Sequence, residues 1–255
     1  MALGACDNSH FTIYCRIFSV IPFLMTLAVS YSYAYAVGCL FLLASWLLVF
    51  LWRKDLRREM VWATIIGLPF GFIDYLLVPN YWHPSSLFGL MEKYGVGLES
   101  FVFMGLMSGL SSVFYEFTTG VHAPYGRPSR VHHFGPVLLS LTSFLVFSAL
   151  FPWRVIYVFM TSGFIGAISL GLLRPDLWGV MLWGGCIFAI FYTAVFLLVN
   201  VLFPGLVSAV YSVDDLWGIY VVGVPLEEIA VGFFVGGFWG AVYQYIKGLR
   251  YSYKK

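Results

Sequence analysis

Charge is what this chain has least of: 14 Lys and Arg and 12 Asp and Glu among 255 residues, or 10%, where a soluble domain carries about 25%. With 61% hydrophobic and 20% aromatic residues, that scarcity excludes an ordinary soluble domain and points to an integral membrane protein. The net charge of +2 is too small and too dispersed for a nucleic-acid partner. Cysteine is sparse as well. Cys6, Cys15, Cys39 and Cys186 lie far apart with no Cys-x-x-Cys, so disulfide and zinc readings lack support and the four read as packing residues. There is no Walker A loop, no Gly-x-Gly-x-x-Gly after a strand, no Gly-x-Ser-x-Gly and no His-Glu-x-x-His. NTP, dinucleotide and zinc-protease chemistry therefore have no foothold, and no cofactor or metal is expected. No removable secretory signal is expected either, since the first residues carry no basic region and the first apolar run is long enough to remain as a span.

What the chain does contain is long apolar segments. Runs of about 18 to 25 residues, the length that crosses ~30 Å of hydrocarbon as a helix, fall at 11–32, 34–52, 60–79, 98–117, 134–151, 153–173, 177–203 and 226–246. The expected fold is all-α and polytopic, with about eight transmembrane helices. One face collects Arg53, Lys54, Arg57, Arg58, Arg127, Arg130, Arg174, Lys247, Arg250, Lys254 and Lys255, and the other only Lys93 and Arg154, with Arg16 near the first. By the positive-inside rule both termini are cytoplasmic.

An internal duplication emerges when GVGLES (95–100) is laid on GVPLEE (223–228) and carried forward to residues 120 and 248. Gly95/Gly223, Val96/Val224, Leu98/Leu226, Glu99/Glu227, Gly109/Gly237, Tyr115/Tyr243 and Gly120/Gly248 are identical. A second echo sets RREMVW (57–62) against LRPDLW (173–178). The expected organisation is a repeat at 1–120, a cytoplasmic linker at 121–133 and a second repeat at 134–255 with a basic tail. Four helices in each half give both the same orientation, related by a pseudo-twofold along the membrane normal.

Carboxylates inside such segments are costly and call for a reason. One reason is structural: Pro225 suits a first helical turn, where Glu227 and Glu228 complement the helix dipole, and Glu99 does the same behind Gly97. The other is functional. The duplication sets Glu99 and Glu227 at matching depths, which makes a paired-carboxylate acid–base site geometrically possible. Glu228 lies about 100° further around the helix and is expected to face elsewhere. Near the same face stands DYLLVPNYWHP (74–84). Asp74, inside a span, calls for an interior or polar partner; Tyr81 and Trp82 fit either an interfacial belt or a substrate site; His83 is either a loop residue or a partner of Glu99. Asp214 and Asp215, ahead of Trp217, do not supply the two spaced acidic clusters of metal-dependent prenyl transfer. His122, His132 and His133, with Arg127 and Arg130, read as a cytoplasmic loop facing lipid headgroups.

GVPLEEIAVGFF opening a membrane helix, with the degenerate earlier copy GVGLESFVFM, resembles the Pro-x-Glu-Glu signature of the small membrane-integral lycopene cyclases, which are built from two homologous helical halves. The likeness covers the third and fourth and the seventh and eighth expected helices. It implies that Glu227 and Glu228 match the acidic pair and Glu99 its first member. Gly97 and Ser100 depart from the pattern, as do four helices per half where the family has about three. The implied chemistry is non-redox: a carboxylic acid protonates a terminal double bond, aromatic faces stabilise the carbocation, and a base removes a proton after ring closure. Glu227 is the leading acid candidate and Glu99 or Glu228 its partner. Asp74, Tyr81, Trp82, His83 and Trp217 are substrate-binding candidates. The expected partners are a lipophilic polyisoprenoid, membrane lipids and a further copy of the chain.

Two other classes compete with this reading. A non-enzymatic lipid-binding scaffold or small-solute transporter would use the same acids as caps or proton-coupling groups. A CAAX-type intramembrane protease would want Arg about four residues after Glu-Glu and histidines within helices, where this chain has Gly232 and Phe233 and no central histidine.

Overall fold

The computed structural model describes residues 31–78, 80–121 and 134–249, and Tyr31–Lys255 forms one compact unit. The first expected helix up to residue 30, and His122, Arg127, Arg130, His132 and His133 of the linker, lie outside the described residues. The described chain is almost wholly helical. Among the described residues six helices are long and apolar enough to cross a membrane: α1 (Tyr31–Trp52), α2 (Arg57–Leu77), α3 (Leu98–Thr119), α5 (Val155–Leu173), α6 (Pro175–Leu202) and α7 (Leu226–Lys247). α4 (Gly135–Leu150) is apolar but shorter. Its 16 residues reach only ~24 Å. Helices prevail because hydrocarbon offers no partner for a free backbone N–H or C=O.

α3 and α7 are central. α2 packs along α3, α6 along α7, and α3 meets both α6 and α7, while α4 lies mainly on α5. Small residues allow this closeness, since apolar side chains gain nothing from leaving lipid and helix pairing rests on intimate packing. A Cβ on Gly109 would fall 2.1 Å from Thr64 Oγ1 of α2, and one on Gly237 2.8 Å from the Met181 carbonyl of α6. Both glycines belong to the aligned set, and both stand where an outer helix touches a central one.

Two of the helices depart from regular α geometry. α2 tightens into a 3-10 turn at Leu68–Ile73, with Pro69 near its start, where the missing proline N–H weakens α-helical pairing; it resumes as Asp74–Leu77. α7 widens into a π turn at Val235–Trp239.

At one end of the bundle the connecting loops are clasped together. His83 N–H donates to the Val210 carbonyl and Ser212 N–H to that of Tyr81, which sets Trp82 opposite Tyr211 in an antiparallel bridge. Ahead of α7, Tyr220–Val221 pairs with Val224–Pro225 around Val222 and Gly223, both with positive φ, the geometry of a tight hairpin turn. Pro225, expected in the first helical turn, therefore ends a short strand just before the helix, and Leu226 N–H is taken by the Ile219 carbonyl.

The turns into α2 and α6 share local geometry. Arg53 forms an ion pair with Asp55 at 2.8 Å, and Arg174 with Asp176 at 2.6 Å. Leu56 and Leu177, next in each chain segment, are buried with the same backbone angles. Each arginine also donates to a carbonyl near the end of a central helix, Glu116 O for Arg53 and Leu249 O for Arg174. The matching motif is Arg-x-Asp-Leu, which pairs Arg174 with Arg53 where the echo of RREMVW in LRPDLW pairs it with Arg58, so the expected residue pairing of that echo is replaced.

Candidate active site in the helix bundle

Glu99, Glu227, Glu228 and Asp74 are all buried, none more than 6% exposed. Their surroundings divide them. Glu99 accepts the main-chain N–H of Leu87, twelve residues earlier, and Glu227 accepts that of Trp217, ten residues earlier. Each is thus tied by one oxygen to the loop that leads into its helix, and the second oxygen of each is buried without a hydrogen-bond partner. Glu228 faces the bundle instead. Its carboxyl receives the hydroxyls of Tyr81 at 2.8 Å and Tyr192 at 2.7 Å, and Tyr211 stands beside it. The 100° step around the helix does turn Glu228 away from Glu227, and what lies in that direction is a cavity.

This cavity encloses about 1130 Å³ of empty space, its open mouth included. Its wall is apolar and aromatic apart from Asp74, Glu228 and the tyrosine hydroxyls, with Tyr35, Trp82, Phe103, Tyr192 and Tyr211 among its rings. Asp74 enters from the last turn of α2 and receives the Ser100 hydroxyl. Ser100 also takes the Gly97 N–H at 3.3 Å, so one side chain both caps α3 and holds Asp74. Tyr35 and Trp82 meet edge to face with centroids 4.9 Å apart, and Tyr81 and Tyr211 do so at 5.4 Å. Burial, reinforced by Glu228, pushes the Tyr81 and Tyr211 phenols well above their ordinary range. They stay protonated, and so remain donors, across neutral and mildly alkaline pH.

Of the residues singled out in the sequence, the structure brings Asp74, Tyr81, Trp82 and Glu228 to one cavity. Glu99 and Glu227 stand outside its lining. His83 is exposed, and its main-chain N–H holds the Val210 carbonyl. Trp217 is half-exposed, its ring 5.7 Å from that of Tyr157, and its N–H holds Glu227. Sequence reasoning missed Tyr35, Tyr192 and Tyr211. For Tyr192 a signal existed: a phenol in the middle of an apolar helix needs a partner for its hydroxyl.

A family model described as Lycopene cyclase matches residues 32–118 and 154–246, the stretches that carry α1 to α3 and α5 to α7. No curated protein and no solved structure matches the chain. The matched stretches take in most of the chain, every described helix apolar and long enough to cross a membrane, and the buried carboxyls of Asp74, Glu99, Glu227 and Glu228, and on that footing the chain belongs to the lycopene cyclase family.

Proposed function

We propose that the protein is a membrane-embedded cyclase that closes a ring at the end of a carotenoid or other polyisoprenoid, without redox change. The observation that carries this reading is a pair of carboxyls, Glu228 and Asp74, in one aromatic-walled cavity within a bundle of apolar helices. The cavity favours Glu228 over Glu227 as the acid. Its proton goes to the terminal double bond, leaving a tertiary carbocation; the next suitably placed double bond attacks it and forms the ring's carbon–carbon bond; loss of a proton from the ring restores neutrality. One proton enters, one leaves, and no electrons are exchanged. The carboxylate left on Glu228 is received by Tyr81 and Tyr192, the ring faces of Trp82 and Tyr211 attract the cation, and Asp74 is the second carboxyl, able to accept the departing proton. Glu227 and Glu99 hold the entering loops. A carrier that only binds the polyene is the second reading, since the same cavity would serve it.

The test is expression in a host that accumulates an acyclic carotene, followed by chromatography of its pigments. Wild type yields cyclic ends; Glu228→Gln lowers them ~10²-fold or more, the scale for removing a general acid, with the protein still present in the membrane. Normal cyclisation by Glu228→Gln rejects the assignment. Pigment bound but never cyclised by wild type favours the carrier.

The finer architecture proposed is eight helices in two like-oriented halves, each a matched three-helix core preceded by one further helix: the first expected helix before α1 to α3, and α4 before α5 to α7. The shared Arg-x-Asp-Leu turns and the matching ties of Glu99 and Glu227 support it. Both termini are then cytoplasmic. In a cysteine-free background, an impermeant thiol reagent applied to intact cells should label Val222→Cys in the exposed hairpin turn and not Lys54→Cys at the opposite end; the reverse pattern inverts the protein.

A further inference from the structure

A second cavity adjoins the first. It encloses about 900 Å³, again with its mouth included, and the two share Phe70, Ile73, Phe103, Met104, Phe159 and Val231 as common wall. Six residues from α2, α3, α5 and α7 line both spaces, which makes the two neighbouring stretches of apolar space. Along α7 the wall runs from Glu228 in the first stretch to Trp239 in the second, eleven residues of helix or ~16 Å. The π turn at Val235–Trp239 lies against the second stretch and supplies Val235, Phe238 and Trp239 to it. The far wall comes from α4, through Val137, Ser140, Leu141 and Phe144. α4 is tied to α5 by the Ser140 hydroxyl on the Ser162 carbonyl at 2.9 Å, and it lies between the two segments that match the family.

We infer that this second cavity holds the linear tail of the same polyisoprenoid whose end reacts at Glu228, and that α4 closes it as a chain-length gauge. The inference rests on the cyclase function proposed for the first cavity. The occupant follows from adjacency and chemistry: the space shares wall residues with the cavity that holds the carboxyl pair and carries neither acid nor base on its own wall, so a rigid apolar chain continuous with the reacting end fits it. A compact polar solute does not.

Gly163 of α5 gives the means of testing this. It lines the second stretch, and a Cβ there would meet only Phe234 side-chain atoms, at 3.8 Å or more. Gly163→Phe therefore starts from a Cβ without a close contact and adds a ring at the wall of the second cavity. Wild type, Gly163→Phe and Leu172→Phe, the last placing the same bulk on the exposed face of α5, are purified in detergent from a host that makes an acyclic forty-carbon polyene, and bound pigment is read by absorbance. Displacement of a fluorescent probe by a ten-carbon linear isoprenoid hydrocarbon is measured on the same samples. Gly163→Phe should lose pigment about tenfold or more, the scale of overpacking an occupied space, while binding the ten-carbon chain as wild type does; Leu172→Phe should match wild type for both. Equal loss of both ligands by Gly163→Phe, undiminished pigment in that variant, or no pigment on wild type overturns the inference. Pigment retained in this pattern without ring formation leaves the second cavity's role standing and rejects the cyclase reading; ring formation unaffected by Gly163→Phe does the opposite.

Discussion

At the start of α3, Glu99 holds the Leu87 N–H and the next residue, Ser100, reaches Asp74; at the start of α7, Glu227 holds the Trp217 N–H and the next residue, Glu228, meets Tyr81 and Tyr192. In both places the first position fastens a loop; the second lines the cavity itself in α7 and holds a carboxyl that lines it in α3. The difference lies in where the carboxyl comes from. α7 presents its own, whereas α3 presents a hydroxyl that positions a carboxyl lent by α2. GVGLES is therefore not simply a decayed copy of GVPLEE: with Asp74 beside it, the serine restores an acidic group to the side of the cavity where the motif lacks one. Two carboxyls of different parentage, one among phenols and the other on a serine, are suited to unequal parts in one proton cycle.

The comparison breaks most decisively at the cavity-facing positions. Asp74→Asn should lower ring formation ~10²-fold, as Glu228→Gln does, because each removes a group that gives or takes the transferred proton. The double variant should be little worse than either single one, since both serve one cycle. Pigment chromatography, normalised to protein in the membrane, reads all three. Normal turnover by Asp74→Asn would leave α7 with the only reactive acid and make the α3 start purely structural. Ser100→Ala tests the relay itself: Asp74 remains but loses its partner, and a drop of about tenfold is expected, the worth of a hydrogen bond to a charged group.

How far the sequence disclosed this differs between the two starts. The identities Gly95/Gly223 and Glu99/Glu227 were legible because a turn with positive φ and a carboxyl fastening a loop are local needs, written in adjacent residues. Which glutamate faces the interior was not legible. It depends on where Tyr81 and Tyr211 arrive, and that is decided by a clasp between loops more than a hundred residues apart. In the sequence Asp74 needs a partner and Ser100 stands where the motif has an acid; nothing local joins the two, because the link of Ser100 to α2 is tertiary. Seven of the eight expected spans lie largely within the described residues and all seven are helical, since length and apolarity alone determine that much.

Smaller effects are expected at the loop-fastening positions. Glu227→Gln and Glu99→Gln each keep an oxygen that can accept the backbone N–H, and the helix-start interaction of the carboxyl that they remove is worth ~0.3–1 kcal/mol. Cyclic product should fall by less than about tenfold in each, and by similar amounts in the two. A loss of ~10²-fold from Glu227→Gln alone would return the acid's part to that residue and end the equivalence. Tyr81→Phe removes one donor from Glu228 and should cost about tenfold, the scale of a hydrogen bond to a carboxylate. Because the Tyr81 and Tyr211 phenols are raised, wild-type activity should show no decline attributable to them below pH ~10; an alkaline limb near pH ~8 that disappears in Tyr81→Phe would contradict that placement.

The smallest expected effect distinguishes the two turns that precede these helices. Gly95 and Gly223 both have positive φ, +70° and +82°, where an L side chain costs ~1–2 kcal/mol. Their surroundings differ. A methyl on Gly223 meets nothing within 4 Å, whereas one on Gly95 comes 3.4 Å from the Tyr75 ring, a residue adjacent to Asp74. Both alanine variants should therefore lower the thermal midpoint of the detergent-solubilised protein by a few degrees, with Gly95→Ala the larger. Only Gly95→Ala should also depress turnover, because its neighbour sits on the last turn of α2 and any shift there carries Asp74 with it. Equal losses of turnover from both would mean that the turn into α7 disturbs the cavity as readily as the turn into α3. The lent carboxyl would then be no more vulnerable than the resident one.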